Sequence, residues 1–203
     1  MKPRNRMLYI SMCAVFMLVL ASCGGEQVHT NQSHSGHSGE QNEDELKVEE
    51  TRVEVTQGDF IYRLVTEKAA YKEGENINLY AELEYVGDQD EVVISHAASP
   101  FYFPMYEKTR GYQIGYSMPQ PLVTTTLTKD EPLRERYKGS GSYGPEDDSE
   151  YIAFMKRIME QDFPPGFYIV NGSAQFNVKD DEPGEEDKKY RIEGDIQFKV
   201  TRE

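Results

Sequence analysis

Residues 190–200 alternate strictly: Tyr190, Ile192, Gly194, Ile196, Phe198 and Val200 fall on one side, and Arg191, Glu193, Asp195, Gln197 and Lys199 on the other. Side chains repeat with period two only in a β-strand, and a strand with one apolar and one charged face must set its apolar face on a core. Residues 76–86 repeat the pattern, with Ile77, Leu79, Ala81, Leu83 and Tyr85 opposite Asn78, Tyr80, Glu82 and Glu84. Residues 167–178 form another strand, joined to the last by a polar hairpin loop over 180–189 that contains Pro183-Gly184. Less regular candidates are 51–56, 60–67, 91–95, 101–106, 112–118 and 122–128. About seven to nine short strands separated by turn signals predict a mainly β domain over residues 51–203, an antiparallel β-sandwich.

One stretch departs from this period. In 149–161, Ile152, Met155 and Met159, with Tyr151, Phe154 and Ile158, recur at helical spacing. Asp148 or Ser149 supplies a cap and Pro164-Pro165-Gly166 a stop, which predicts one short amphipathic crossover helix. Residues 133–148, with Gly139-Ser140-Gly141-Ser142, read as a mobile loop before it.

The chain has 203 residues, 37% hydrophobic and 29% charged, which suits one domain with part of the chain outside its core. Residues 1–6 are basic, and residues 7–20 form an uncharged apolar run, too short for an ordinary membrane-spanning helix. Leu20-Ala21-Ser22-Cys23 follows, then Gly24-Gly25. This arrangement resembles the bacterial lipoprotein signal family, whose lipobox reads Leu, small, small, Cys; all four positions match. The resemblance implies a signal peptide over 1–22, cleavage between Ser22 and Cys23, and a diacylglycerol joined to the Cys23 thiol through a thioether. Two buried acyl chains, at about 0.8 kcal/mol per CH₂, suffice for stable anchoring on the outer face of a cell membrane. The same cleavage removes Cys13 and leaves Cys23 alone, so an internal disulfide is impossible.

Residues 24–50 hold only Val28, Leu46 and Val48 as aliphatic residues, among Gly, Ser, Gln, Asn, Glu and His. Such a segment is expected to be a disordered tether with a reach of roughly 25–30 Å. The net charge of −14 becomes more negative once Lys2, Arg4 and Arg6 are removed. An acidic surface of this kind repels nucleic acid and favours basic partners.

Two further stretches carry a resemblance. Tyr71-Lys72-Glu73-Gly74-Glu75-Asn76-Ile77 resembles the opening of bacterial immunoglobulin-like modules, and Pro164-Pro165-Gly166-Phe167-Tyr168-Ile169-Val170 resembles their late Pro-Gly-x-Tyr-x-Val strand. Both occur in the intracellular proteinase inhibitor family. The resemblance implies an immunoglobulin-like sandwich and raises protease inhibition as an alternative activity, with no inhibitory loop located by the matching residues. The chain departs from such modules in having no tryptophan and in adding the 149–161 helix.

Candidate chemistry is sparse. The only histidine of the domain is His96, and a Ser/His/Asp triad would need a nucleophile turn such as Gly-x-Ser-x-Gly, which the chain lacks. At the end of a strand, a hydrogen-bonding role for His96 is expected. The acidic runs 146–148 and 180–182 lack the spacing of a calcium loop and read as solvated charge. A carboxylate pair for a hydrolase stays open among the 36 acids, since separation in space is not visible. No cofactor is expected. His29, His34 and His37 are weak metal ligands, because the tether supplies neither a thiolate nor a fixed geometry. The densest uncharged feature is the run Phe101, Tyr102, Phe103, Tyr106, Tyr112 and Tyr116, which reads either as core or as a partner surface.

The favoured expectation is a non-catalytic, lipid-anchored binding or adaptor module that meets another envelope protein, with a metal-handling lipoprotein, a protease inhibitor or a hydrolase as alternatives. A peptide of residues 24–50 titrated with zinc separates the first two. A solvated spacer gives no complex at micromolar zinc; a saturable complex there would make the tether a metal site.

Overall fold

The structure, a computed structural model, describes residues 46–179 and 186–202. The leader, Cys23, His29, His34, His37 and the 180–185 part of the expected hairpin loop lie outside the described residues. In chain order the elements are β1 (Arg52–Gln57), β2 (Phe60–Thr66), β3 (Ala70–Lys72), β4 (Leu79–Tyr85), β5 (Glu91–His96), β6 (Phe101–Tyr102) and β7 (Met105–Glu107). After them come β8 (Tyr112–Ile114), β9 (Val123–Thr128), β10 (Leu133–Arg136), the helix α1 (Ser149–Met159), β11 (Gly166–Val178) and β12 (Lys188–Thr201). One sheet has the order β1-β2-β4-β10. The other runs β3-β12-β11-β5-β9, with β6 and β7 on β11 and β8 on β7. The fold is therefore the mainly β sandwich that the alternation implies, with α1 crossing from one sheet to the other.

The thirteen residues of β11 pair along their whole length with β12, from Gly166↔Val200 to Val178↔Lys188. On its other edge β11 receives three strands in turn: β7 at Tyr168–Val170, β6 at Ser173 and Ala174, and β5 at Asn177 and Val178. Between them, the amides of Asn171 and Gln175 donate to the carbonyls of Pro104 and Pro100 at 2.9 and 2.7 Å. No stretch of that edge needs a longer partner, because loop carbonyls fill the gaps.

At the middle of the ladder Gly172 faces Gly194 across the two strands. A Cβ on Gly172 would lie 2.6 Å from Tyr62 Oη and 2.7 Å from Leu64 Cδ2, and one on Gly194 would lie 2.6 Å from Val53 Cγ1. The glycine pair is a notch in one sheet, and β1 and β2 of the other sheet fill it. Around it the core is aromatic. Phe60, Phe176 and Tyr190 meet at ring separations of 4.8–5.0 Å, and Phe163, Tyr168 and Phe198 at 5.0–5.5 Å.

Two expectations are corrected. Residues 133–136 are not loop: Leu133 to Arg136 pair antiparallel with Leu83 to Tyr80 as the edge strand β10. Its outward charges, Arg134 and Arg136, hide the strand from a hydropathy pattern, yet Arg134 bonds Glu82 and lies 4.3 Å over the Tyr80 ring. Residues 101–106 are not one strand, because Pro104 interrupts the pairing and divides β6 from β7. The short β3 adds the sole parallel ladder among the described residues, beside β12.

The helix begins and ends by identifiable chemistry. Asp148 Oδ1 accepts from the Tyr151 amide at 2.7 Å, one of the two caps expected. At the other end Gln161 adopts φ +64°, and the Asp162 amide reaches back to the Arg157 carbonyl at 2.9 Å. The stop thus comes before the Pro164-Pro165 pair. The Arg157 guanidinium also grips Asp162 with two bonds, at 2.6 and 3.0 Å, and holds its carboxyl below the usual carboxylate range.

The notch makes a prediction. Gly172→Ala destabilises the domain by about 1–3 kcal/mol, because Tyr62 and Leu64 are held in a close-packed core with nowhere to move. Urea unfolding reads this as a lower midpoint, while Gly115→Ala, with nothing within 4 Å of its Cβ position, leaves the midpoint in place.

Candidate functional site

The aromatic run 101–116 is divided by the fold. Phe101 and Phe103 are core side chains, fully buried, and present no area to a partner; their assignment to a surface is corrected. Phe101 sits on the inward face because β6 lies along the middle of β11, where alternate residues point between the sheets, and Phe103, just past β6, packs against Tyr116 and Tyr137. Tyr102, Tyr106, Tyr112 and Tyr116 are half-buried, and they do not form one surface.

Tyr112, on β8, turns toward α1 and packs edge-on against Tyr151 and Phe154, each at 5.1 Å. Burial raises its phenol above the usual range, with Asp148 and Glu150 adding to the rise. Tyr116 meets Tyr102, Phe103 and Tyr137 at 6.1, 5.5 and 6.1 Å. Burial raises its phenol as well, so both rings act as neutral hydrogen-bonding groups. Tyr106 lies apart, on β7, opposite Ile169 and Gln113.

Tyr137 joins this group from a stretch whose composition reads as loop. Its hydroxyl donates to the Ser140 carbonyl at 3.2 Å and accepts from the Ser140 amide at 2.9 Å. The signal that marks it is the alternation Leu133, Glu135, Tyr137, hidden by the arginines between them.

The turn after β7 is held by a buried carboxylate. Glu107, fully buried, accepts from the amides of Thr109 and Arg110 at 2.9 and 2.8 Å and pairs with Arg110 Nη1 at 3.3 Å. That nitrogen also donates to the Pro165 carbonyl at 2.9 Å, and the guanidinium lies 5.4 Å from the centre of the Phe154 ring. The pair therefore ties the β7–β8 turn to the start of β11. The feature is structural in its contacts, since every partner lies within the chain.

Tyr102 borders an open depression of about 410 Å³ whose wall includes His96, Gln120, Leu122, Gln175, Asn177 and Lys189. His96 lies within hydrogen-bond reach of the Ala97 carbonyl through Nδ1 and of Thr125 Oγ1 through Nε2, both at 2.8 Å. A carbonyl only accepts, so Nδ1 carries a proton, and in the neutral tautomer this leaves Nε2 to accept from Thr125. Both nitrogens are engaged, and the imidazole links β5 to β9 at the wall of the depression.

A second depression of about 600 Å³ opens between Asp59, Tyr85, Asp88, Glu91 and Lys179. Among the described residues no three His, Cys, Asp or Glu side chains gather closely enough to hold a metal ion. Among them, too, no helix is long and apolar enough to cross a membrane. The walls of the 410 Å³ depression carry the Tyr102 phenol, the carboxamides of Gln120, Gln175 and Asn177, and Lys189.

Comparison with protein-family models, with curated proteins and with solved structures finds no match to this chain.

Removing the Glu107 carboxylate leaves two amides and a guanidinium without their acceptor. Glu107→Ala costs about 3 kcal/mol in thermal or urea unfolding, the low end for a broken buried pair because Arg110 keeps one side in water. An unchanged midpoint would show that the turn holds itself.

Proposed function

We propose that the chain is a lipid-anchored, extracytoplasmic binding module without catalytic activity of its own. The observation that carries the anchor is Leu20-Ala21-Ser22-Cys23 placed directly after a basic segment and a short apolar run. A lipobox in that position directs acylation of the cysteine thiol before cleavage. The binding part of the reading is supported by the sandwich surface. Its single domain histidine makes a strand-to-strand hydrogen bond, and the half-buried Tyr102 borders an open depression with Gln120, Gln175, Asn177 and Lys189. Shallow, polar-tipped aromatic surfaces suit recognition of another protein more than enclosure of a small substrate.

In this arrangement acyl chains on Cys23 hold the tether to the membrane, and the tether presents the domain to neighbouring envelope proteins. The strongly negative charge keeps the domain from lying down on anionic headgroups.

Intact mass of membrane-extracted protein tests the anchor, with wild type beside Cys23→Ala. The expected result is an N-terminus at Cys23 carrying the mass of acyl chains, absent from the variant. An unmodified chain released to the medium would overturn the reading.

A further inference from the structure

The ends of the main strand order of each sheet differ in how they are protected, while the branch strand β8 is only three residues long. β1 carries Arg52 and Glu54, β10 carries Arg134, Glu135 and Arg136, and β3 is three residues long with Lys72 at its end. Charge and shortness are the usual devices that stop an edge from pairing with another chain. β9 has neither. Its six residues, Val-Thr-Thr-Thr-Leu-Thr, are uncharged, contain no proline, and pair with β5 alone among the described residues.

Which backbone groups face outward follows from the register. The Lys129 amide donates to the Asp90 carbonyl at 2.9 Å, and Glu91 pairs with Thr128 through His96 with Val123. Antiparallel alternation then commits Val123, Thr125 and Leu127 to β5 and turns the amides and carbonyls of Thr124 and Thr126 away from the sheet. Beside them lie the two most exposed aliphatic side chains of this region, Leu122 at 82% and Val93 at 48%. They border a depression of about 310 Å³ on the outer face, with Thr124 and Asn177. Past the C-terminal end of β9 the charges are mostly acidic: Asp88, Asp90, Glu91, Asp130 and Glu131 are exposed, with Lys129 among them and Lys179 beside Asp88 and Glu91.

We propose that β9 is a docking edge that takes an extended segment of another envelope protein as an added antiparallel strand. The segment carries basic residues at its N-terminal end, against the acids of the 88–91 and 130–131 turns, and apolar residues alternating after them, toward Val93 and Leu122. Backbone bonds to Thr124 and Thr126 supply affinity, and the alternate side chains supply choice of partner. A second copy of this chain is the poorer occupant, since it brings its own charge of −14 to the contact. The proposal rests on the binding-module reading and gives it a site and a ligand class.

The test uses the full-length chain in detergent and a peptide of about ten residues, alternating valine and threonine after two N-terminal lysines, with a counterpart bearing two glutamates. The lysine peptide is expected to bind, to slow amide exchange at Thr124 and Thr126, and to bind about tenfold more tightly than the glutamate peptide. Thr126→Pro removes an outward donor and no bond to β5, so it abolishes binding with the unfolding midpoint kept. If that variant fails to fold, Thr124→Lys serves instead: it leaves the backbone bonds intact and weakens the lysine peptide selectively. Three results would overturn the proposal: no binding at millimolar peptide, undiminished binding in the variants, or a dimer whose Thr124 and Thr126 amides are protected without peptide. None bears on the acyl mass at Cys23, so failure here and failure of the anchor remain distinguishable.

Discussion

The ladder between β11 and β12, with the Gly172–Gly194 pair at its middle, is the constraint on which the rest of the domain depends. A long antiparallel pair twists, and a sandwich needs the second sheet to approach it closely. Two glycines facing each other lower the surface by the depth of two side chains at one place. Tyr62 and Leu64 from β2, and Val53 from β1, fill that place, which fixes where the four-stranded sheet lies. Tyr62 is fully buried there, and its hydroxyl finds no partner among the described residues, a cost accepted for the aromatic packing around it. The other edge of β11 then sets the positions of β5, β6 and β7, and through them the tyrosines and the His96 depression.

Charge is handled locally in a chain that is acidic as a whole. On the outer face of the four-stranded sheet Arg63 bonds Glu54 at 2.6 Å and Glu84 on the adjoining strands, while Arg134 on β10 bonds the buried Glu82. Single surface pairs of this kind contribute little, but they define register, since a shift of one residue would send every charge into the core. The edges of this sheet carry charge too, Arg52 and Glu54 on β1 and Arg134, Glu135 and Arg136 on β10. At β9 the logic is reversed: backbone groups and small hydroxyls are exposed, and the acids stand beside the strand instead of on it.

Strands with clean alternation are legible in the order of the amino acids. Tyr190, Ile192, Ile196, Phe198 and Val200 are buried as their period requires, and Leu79, Ala81, Leu83 and Tyr85 likewise. The helix and its Asp148 cap are legible because both depend on residues within one turn of each other. β3 and β10 are not, since three or four residues carry too little pattern and their stability comes from a partner far away in the chain. Glu82 reads as a solvent-facing residue of an alternating strand, yet it is buried, because Arg63 and Arg134 close over it from two other strands. The candidate surface is legible as a cluster of aromatics but not in its division, as burial of Phe101 and Phe103 depends on where β11 runs.

By itself the sequence determined the period-two strands, the helix over 149–159 and the Leu-Ala-Ser-Cys order that ends at Cys23, because each rests on residues adjacent or at a short fixed spacing. Only the tertiary structure decided which aromatics are core, that His96 is a hydrogen-bonding link to Thr125, and that β9 pairs with β5 alone among the described residues. Those properties belong to pairs of segments that meet across the sandwich, and the pairing energy that selects them is shared among residues many positions apart.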